Sequence, residues 1–323
     1  MRLIITGGLG FIGSNLIRWI LKEQPHVEIL NIDAWTYAGN PANLADVADT
    51  QRYQWQQISI TDEGPLDAAF GEFQPDAVMH LAAESHVDRS IAAGLPFVVT
   101  NVVGTQTLLE VSRRHGVSRF VHVSTDEVYG SAVPPMRFTE ATPIQPSSPY
   151  SASKAGSDML ALAAYTTYGQ DVIVTRCSNN YGPYQYPEKL IPLFITNGIL
   201  GQPWPLYGDG LNVRDWIYVE DHVRALWTVL TKGRAGEIYN IGSDNEQANR
   251  DVAERLRTLM GLPESIIQPA ADRLGHDRRY AMDANKIRRE LGWAPEMSWD
   301  EGLKRTVDWY VTHESWWRPL RAQ

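Results

Sequence analysis

The chain has 323 residues, enough to bury the core of one large or two ordinary domains. With 43% hydrophobic and 21% charged residues and a formal net charge of −9, it argues against a general nucleic-acid-binding surface and leaves room for a local basic pocket. No apolar run approaches the roughly 18 residues of a membrane span. The lone cysteine, Cys177, permits neither an intramolecular disulfide nor a cysteine zinc cluster, so no metal site is expected.

MRLIITGG runs straight into a first predicted strand, giving the expectation of a cytoplasmic protein without a secretory leader. Strands are predicted at residues 3–6, 28–32, 53–58, 77–81, 119–124 and 172–176, separated by helical patterns such as GSNLIRWILKE and NVVGTQTLLEVSRRHG. That alternation implies an α/β fold, a doubly wound parallel sheet of Rossmann type. Ligands of such sheets bind beyond the carboxyl ends of the strands, so a motif that directly follows a strand gains weight.

The first such motif is TGGLGFIG. It fits G-x-G-x-x-G through Gly8, Gly10 and Gly13, and G-x-x-G-x-x-G through Gly7, Gly10 and Gly13. Glycines serve here because a tight turn must bring backbone N–H groups against a pyrophosphate at a helix N-terminus. Asp33 lies twenty residues beyond Gly13, at the end of the second strand. A carboxylate there hydrogen-bonds ribose hydroxyls and repels a 2′-phosphate, which favours NAD over NADP.

After the fifth strand comes STDEVYG, with Ser124, Thr125, Asp126 and Glu127, and then SSPYSASKA, with Tyr150 and Lys154 four apart. On a helix those two share a face, where a lysine cation lowers a phenol's pKa and favours a tyrosine base. Ser124 or Thr125 can position the reacting hydroxyl. Successive strand residues point to opposite faces, so both acids reach one ligand only if the chain has already left the strand.

Past Cys177 the segments NNYGPYQYPEKLIP and LGQPWPLYGDG, rich in Pro, Gly and Tyr, have the texture of ligand loops. A strand at 237–242 follows the helix VEDHVRALWTVLTKG, and the remainder reads as helical. The expected division is an NAD-binding domain over 1–177 and a smaller, mostly helical substrate domain over 178–323. The segment around 213–242 is free to return to the first sheet. The tryptophans of WYVTHESWWRPL read as packing or interface residues.

On TGGLGFIG, NIDAWTYAGN, DAVMHLAAESHVDRS, STDEVYG, SSPYSASKA, SNNYGPYQYPEKLIP, RDWIYVEDH and GHDRRYAMD, the chain resembles the extended short-chain dehydrogenase/reductases. Among these it is similar to the sugar-nucleotide 4,6-dehydratases over nearly its whole length, and Thr125-Asp126-Glu127 is the discriminating run. The resemblance implies a lyase with bound NAD acting on dTDP-glucose. Tyr150 would take the proton of the 4-hydroxyl, Glu127 the C5 proton, and Asp126 would protonate the departing C6 hydroxyl. Two neighbouring carboxyls disfavour joint ionisation, so one stays protonated; which of the two is left open.

The resemblance further implies cofactor contacts at Gly7, Gly10, Phe11, Ile12, Gly13, Asp33, Thr36, Ser59, Ile60, Leu81, Ala82, Ala83, Ser85, Thr100, Tyr150, Lys154 and Asn180. Taken alone, Thr100 reads as a helix N-cap. Substrate contacts are implied at Ser85, Thr125, Asn179, Lys189, Leu190, Pro205, Tyr207, Arg214, Asn249 and His276, with Arg214 suited to a diphosphate. Ser59 stands where relatives often carry an adenine-binding aspartate, and Leu274 where proline is frequent. A homodimer through helices at about 101–115 and 150–168 is implied as well. A 4-epimerase or decarboxylase of UDP-sugars is the alternative on the same fold, and a non-catalytic NAD sensor a more distant one. The choice between thymine and uracil rests on the resemblance, since an apolar pocket discriminates a methyl group only modestly.

Overall fold

Near-continuous apolar strands such as Arg2–Thr6 are buried on both faces, as a parallel sheet covered by helices on each side requires. The computed structural model describes residues 1–272 and 275–321; Leu274 lies outside them. Strands β1 (Arg2–Thr6), β2 (Glu28–Asp33), β3 (Tyr53–Gln57), β4 (Ala77–His80), β5 (Arg119–Thr125) and β6 (Val172–Cys177) alternate with helices. The helices are α1 (Phe11–Glu23), α2 (Glu63–Phe73), α3 (Val87–Ala92), α4 (Leu95–Phe97), α5 (Thr105–Arg114) and α6 (Pro149–Tyr168). Next come β7 (Asn179–Tyr181), α7 (Leu190–Ile199), β8 (Trp204–Tyr207), β9 (Val213–Tyr218), α8 (Val219–Lys232) and β10 (Ile238–Ile241). The rest is β11 (Glu246–Ala248), α9 (Asn249–Met260), β12 (Ile267–Ala270), α10 (Asn285–Leu291), α11 (Trp299–Thr312) and α12 (Glu314–Arg321).

The main sheet has seven parallel strands in the order β10-β6-β5-β4-β1-β2-β3. One face is covered by α1, α8 and α10 through Leu16, Ile17, Leu226 and Ile287. The other is covered by α2, α5 and α6 through Phe70, Leu108 and Ala161. The strand order reverses at β1, with β2 on one side and β4 on the other, so a crevice opens beyond the end of β1 where the glycine loop starts.

A separate core, with Phe194 stacked on Trp204 at 5.0 Å and Leu303, Tyr310 and Trp317 behind them, supports the C-terminal region. That region is not helical alone. It carries a three-stranded sheet, β11-β9-β7, and a two-stranded ribbon, β12-β8. Of the segment 213–242, α8 and β10 belong with the main sheet, whereas β9 pairs with β7 and β11. The expected N-cap at Thr100 is not observed. Helix runs without a break from α4 through a π-helical stretch, Val98–Gly104, into α5, and Thr100 lies inside it.

Candidate active site

The glycine loop is shaped by contacts that exclude side chains. Gly7 has φ +75°, and a Cβ there would sit 2.6 Å from the backbone nitrogen of Ala82, at the end of β4. A Cβ on Gly13 would meet the Gly7 carbonyl oxygen at 2.3 Å. Of the two overlapping glycine patterns, the structure places Gly7, Gly10 and Gly13 along the cleft, while Gly8 packs against Asn31 and Ile17. Asp33 accepts hydrogen bonds from the Leu9 N–H (2.9 Å) and the Trp35 N–H (2.8 Å). Burial nevertheless raises its pKa above the ordinary value, with those two donors opposing.

A cleft of about 370 Å³ starts at this loop and runs over the carboxyl ends of the strands to β5 and β6. It is lined by Phe11, Ile12, Thr36, Ser59, Ile60, Leu81, Ala82, Ala83, Ser85, Thr100 and Asn180, then by Thr125, Asp126, Glu127, Tyr150 and Lys154. Ser59 and Ile60 both line the cleft, with the Ser59 hydroxyl 2.7 Å from that of Thr61 and the Ile60 side chain buried close to Gly104. A second cavity of about 200 Å³ joins the first at Ser85, Glu127, Asn179, Asn180 and Lys189. Its wall holds Leu190, Pro205, Tyr207, Arg214, Asn249 and His276. Asn249 has a buried Oδ1 without a partner, and His276 Nδ1 lies 2.7 Å from Asp272 Oδ1. Arg214 donates to the carbonyls of Val213 (2.8 Å) and Asp277 (3.0 Å) and lies over the Tyr280 ring at 4.1 Å.

The two adjacent acids both face the cleft because the strand ends at Thr125. Thr125 caps a 3₁₀ turn, Asp126–Tyr129, by accepting the Glu127 N–H at 3.3 Å, and Gly130 closes the turn at φ +79°. Asp126 is only 2% exposed and its Oδ2 is buried without a partner. Burial first, then the carboxylates of Glu127 and Asp215, push its pKa well above the ordinary value; Arg214 opposes. Asp126 therefore holds a proton in conditions where an exposed aspartate has lost it.

Tyr150 and Lys154 are brought to the cleft by α6, whose first turn is fixed by a capping box between Ser148 and Ser151. Here one expectation is corrected. The phenol of Tyr150 is shifted up, not down, because burial dominates and the charge of Glu127 adds to it; a hydrogen bond with Thr125 opposes. Lys154 Nζ donates to the Val123 carbonyl at 2.8 Å, and burial lowers its own pKa, with Asp158 one turn further along α6 opposing. Asp158 is fixed by Arg176 Nε at 2.9 Å and His122 Nε2 at 3.3 Å.

Side chains that the sequence did not single out also line the two cavities. Gln185 donates to the Asn180 carbonyl at 2.9 Å and leaves Oε1 buried and unpartnered. Glu188 accepts from Tyr37 at 3.2 Å. Asp277 and Tyr280 face Arg214. The run YQYPE offered a signal for the first two, since it sits in the Pro- and Tyr-rich stretch read as a ligand loop.

The family model described as GDP-mannose 4,6 dehydratase matches residues 4–306. The chain belongs to that family. It is 50% identical to a dTDP-glucose 4,6-dehydratase of Neisseria meningitidis serogroup B, over 98% of this chain and 95% of that protein. The crystal structure of DesIV, a dTDP-glucose 4,6-dehydratase from Streptomyces venezuelae with NAD bound, is 52% identical and superposes with a TM-score of 0.96, covering 99% of this chain and 100% of that one. A UDP-glucose 4-epimerase of Thermus thermophilus in complex with NAD shares the fold at a TM-score of 0.90 with 30% identity, covering 97% of this chain and 100% of that one.

Proposed function

We propose that this chain acts as a dTDP-glucose 4,6-dehydratase, a hydro-lyase that forms dTDP-4-keto-6-deoxyglucose and water. The observation that carries this reading is the pair Asp126–Glu127, both on the cleft, one buried with its pKa raised well above the ordinary value and the other less buried beside it. An epimerase has no use for a second acid. The full-length relatives at about half identity point the same way.

NAD, when bound, takes up hydride from C4 of the sugar and gives it back at C6. The residues that would hold it are those of the glycine loop, Asp33 at the ribose, and Lys154 and Asn180 deeper in. A raised pKa keeps the Tyr150 phenol neutral in the open cleft. Tyr150 therefore acts as the base only in its phenolate form, once its own proton has passed to solvent, with the Lys154 cation on the same helix face favouring that form. It accepts the proton of the 4-hydroxyl. The carbonyl made at C4 acidifies C5, whose proton Glu127 removes. Asp126 delivers its proton to the C6 hydroxyl, which leaves as water, and with hydride added at C6 the proton held by Glu127 goes back to C5. Arg214 exchanges its two carbonyl partners for the diphosphate of the substrate, a stronger charge-assisted contact.

In this reading residues 1–177 hold the cofactor and 178–323 the sugar nucleotide, with 213–242 shared between them. We further propose a cytoplasmic homodimer. Leu95, Val103, Met159 and Tyr168 are 72%, 50%, 46% and 59% exposed on α4, α6 and the helical stretch leading into α5, an apolar face suited to a second copy. Sedimentation should give twice the chain mass of 36.3 kDa, and a monomer at working concentration would reject the dimer.

The function is tested by mass spectrometry of dTDP-glucose incubated with the purified protein, without added NAD. Loss of one water is the expected result. An unchanged mass, with galactose configuration appearing in the pool, would hand the case to the epimerase.

A further inference from the structure

The last helix reaches back to the glycine loop through one asparagine. Trp316, on α12, donates its indole N–H to Asn43 Oδ1 at 2.8 Å, although 273 residues separate them in sequence. Asn43 Nδ2 donates in turn to the Leu9 carbonyl at 2.8 Å. Leu9 stands between Gly8 and Gly10, and its N–H is held by Asp33 Oδ2 at 2.9 Å. The same carbonyl accepts from the Asn40 N–H at 3.0 Å.

Both polar groups of one loop residue are therefore fixed: the N–H by the acid assigned to the ribose, the carbonyl by asparagines of which one is set by α12. An indole can only donate and a carbonyl can only accept, so a single orientation of the Asn43 amide serves both bonds. Asn43 is 2% and Leu9 1% exposed, so breaking the chain of bonds strands a buried polar atom. Trp316 is itself held by the rings of Trp309 (5.0 Å) and Tyr184 (5.6 Å), and Arg18 of α1 lies 4.2 Å over Tyr184.

We propose that Trp316 and Asn43 form a latch that keeps the glycine loop in its nucleotide-binding shape, so that the C-terminal helix sets how long NAD stays bound. Both are positioning residues, since neither lines the cleft. A loop ordered in advance spares the cofactor the cost of ordering it, and losing that order falls mainly on the dissociation rate. The latch rests on the NAD-binding reading given above.

Trp316→Phe keeps the ring and removes the N–H, while Asn43→Ala removes both bonds. NAD content is measured in the purified proteins, and NAD release by exchange into excess fluorescent etheno-NAD. Trp316→Phe should release NAD about three- to tenfold faster than wild type, the weight of one buried hydrogen bond, and Asn43→Ala, which loses both, at least as fast. The double variant should be no faster than Asn43→Ala alone, because the indole acts only through Asn43. Affinity for dTDP should not change. Release at the wild-type rate, even with lowered thermal stability, would overturn the latch, as would effects that multiply in the double variant. If Asn43→Ala does not fold, the release rate of Trp316→Phe decides alone. Wild-type protein that neither carries nor binds NAD would overturn the cofactor reading itself, and the latch with it.

Discussion

Tyr150→Phe is expected to lose about two to four orders of magnitude in the rate of water loss, the range for removing a positioned general base. That corresponds to about 3–5 kcal/mol of transition-state stabilisation. The fold does not account for such a loss. Tyr150 is 8% exposed and packs edge-on against Phe97 at 6.3 Å, a contact that a phenylalanine ring keeps. The group it loses is the phenol oxygen of a residue that lines the cleft beside Thr125 and Glu127. Without it nothing on α6 accepts the proton of the 4-hydroxyl, because Lys154 is a donor engaged with the Val123 carbonyl. Every later step needs the C4 carbonyl, so the block should be complete at the first step. The check is the rate of dehydrated product by mass spectrometry, with the variant's NAD content and unfolding midpoint matched to wild type. A variant that dehydrates at the wild-type rate would remove Tyr150 from proton transfer.

The Tyr150–Lys154 pair also shows where sequence reading reaches its limit. Spacing on a helix placed the two on one face, and the strand–turn–helix context placed that face at the cleft. The direction of the phenol's shift was not legible, because burial is a property of the assembled cleft and outweighs a lysine one turn away. The glycine loop was legible for the opposite reason. Its geometry is local, and the choice between its two overlapping patterns needed only the position of β4 against Gly7. Thr100 misled because a threonine before an apolar helical run has the composition of an N-cap, while the real helix starts earlier, at Leu95. The short strands β8 and β12 escaped because each contains a proline, Pro205 and Pro269, which a two-stranded ribbon tolerates and a central strand does not. Asn43 and Trp316 carried no local signal at all, since their meaning lies in a contact across almost the whole chain.

Asp126→Asn is expected to lose activity and gain stability together. In the folded protein the Asp126 carboxyl has a pKa well above the ordinary 3.8, raised by burial and by the neighbouring charges of Glu127 and Asp215. In the unfolded chain the same group ionises near that ordinary value. Between the two, the native protein binds a proton that the unfolded chain has released, so stability falls as pH rises across the window. An asparagine has no proton to lose. The variant's unfolding free energy should therefore run flatter above about pH 4, where a free aspartate ionises, and should exceed wild type by more as the pH rises. Its amide cannot protonate the departing C6 hydroxyl, so dehydration should slow by about two to four orders of magnitude. Urea midpoints measured across pH, together with the rate of product formation, read both effects on one preparation. Parallel stability curves, or dehydration at the wild-type rate, would take the acid's role away from Asp126. A structural carboxyl gives up stability when it is replaced, whereas one kept protonated for chemistry gives up rate and leaves the fold relieved of its burial.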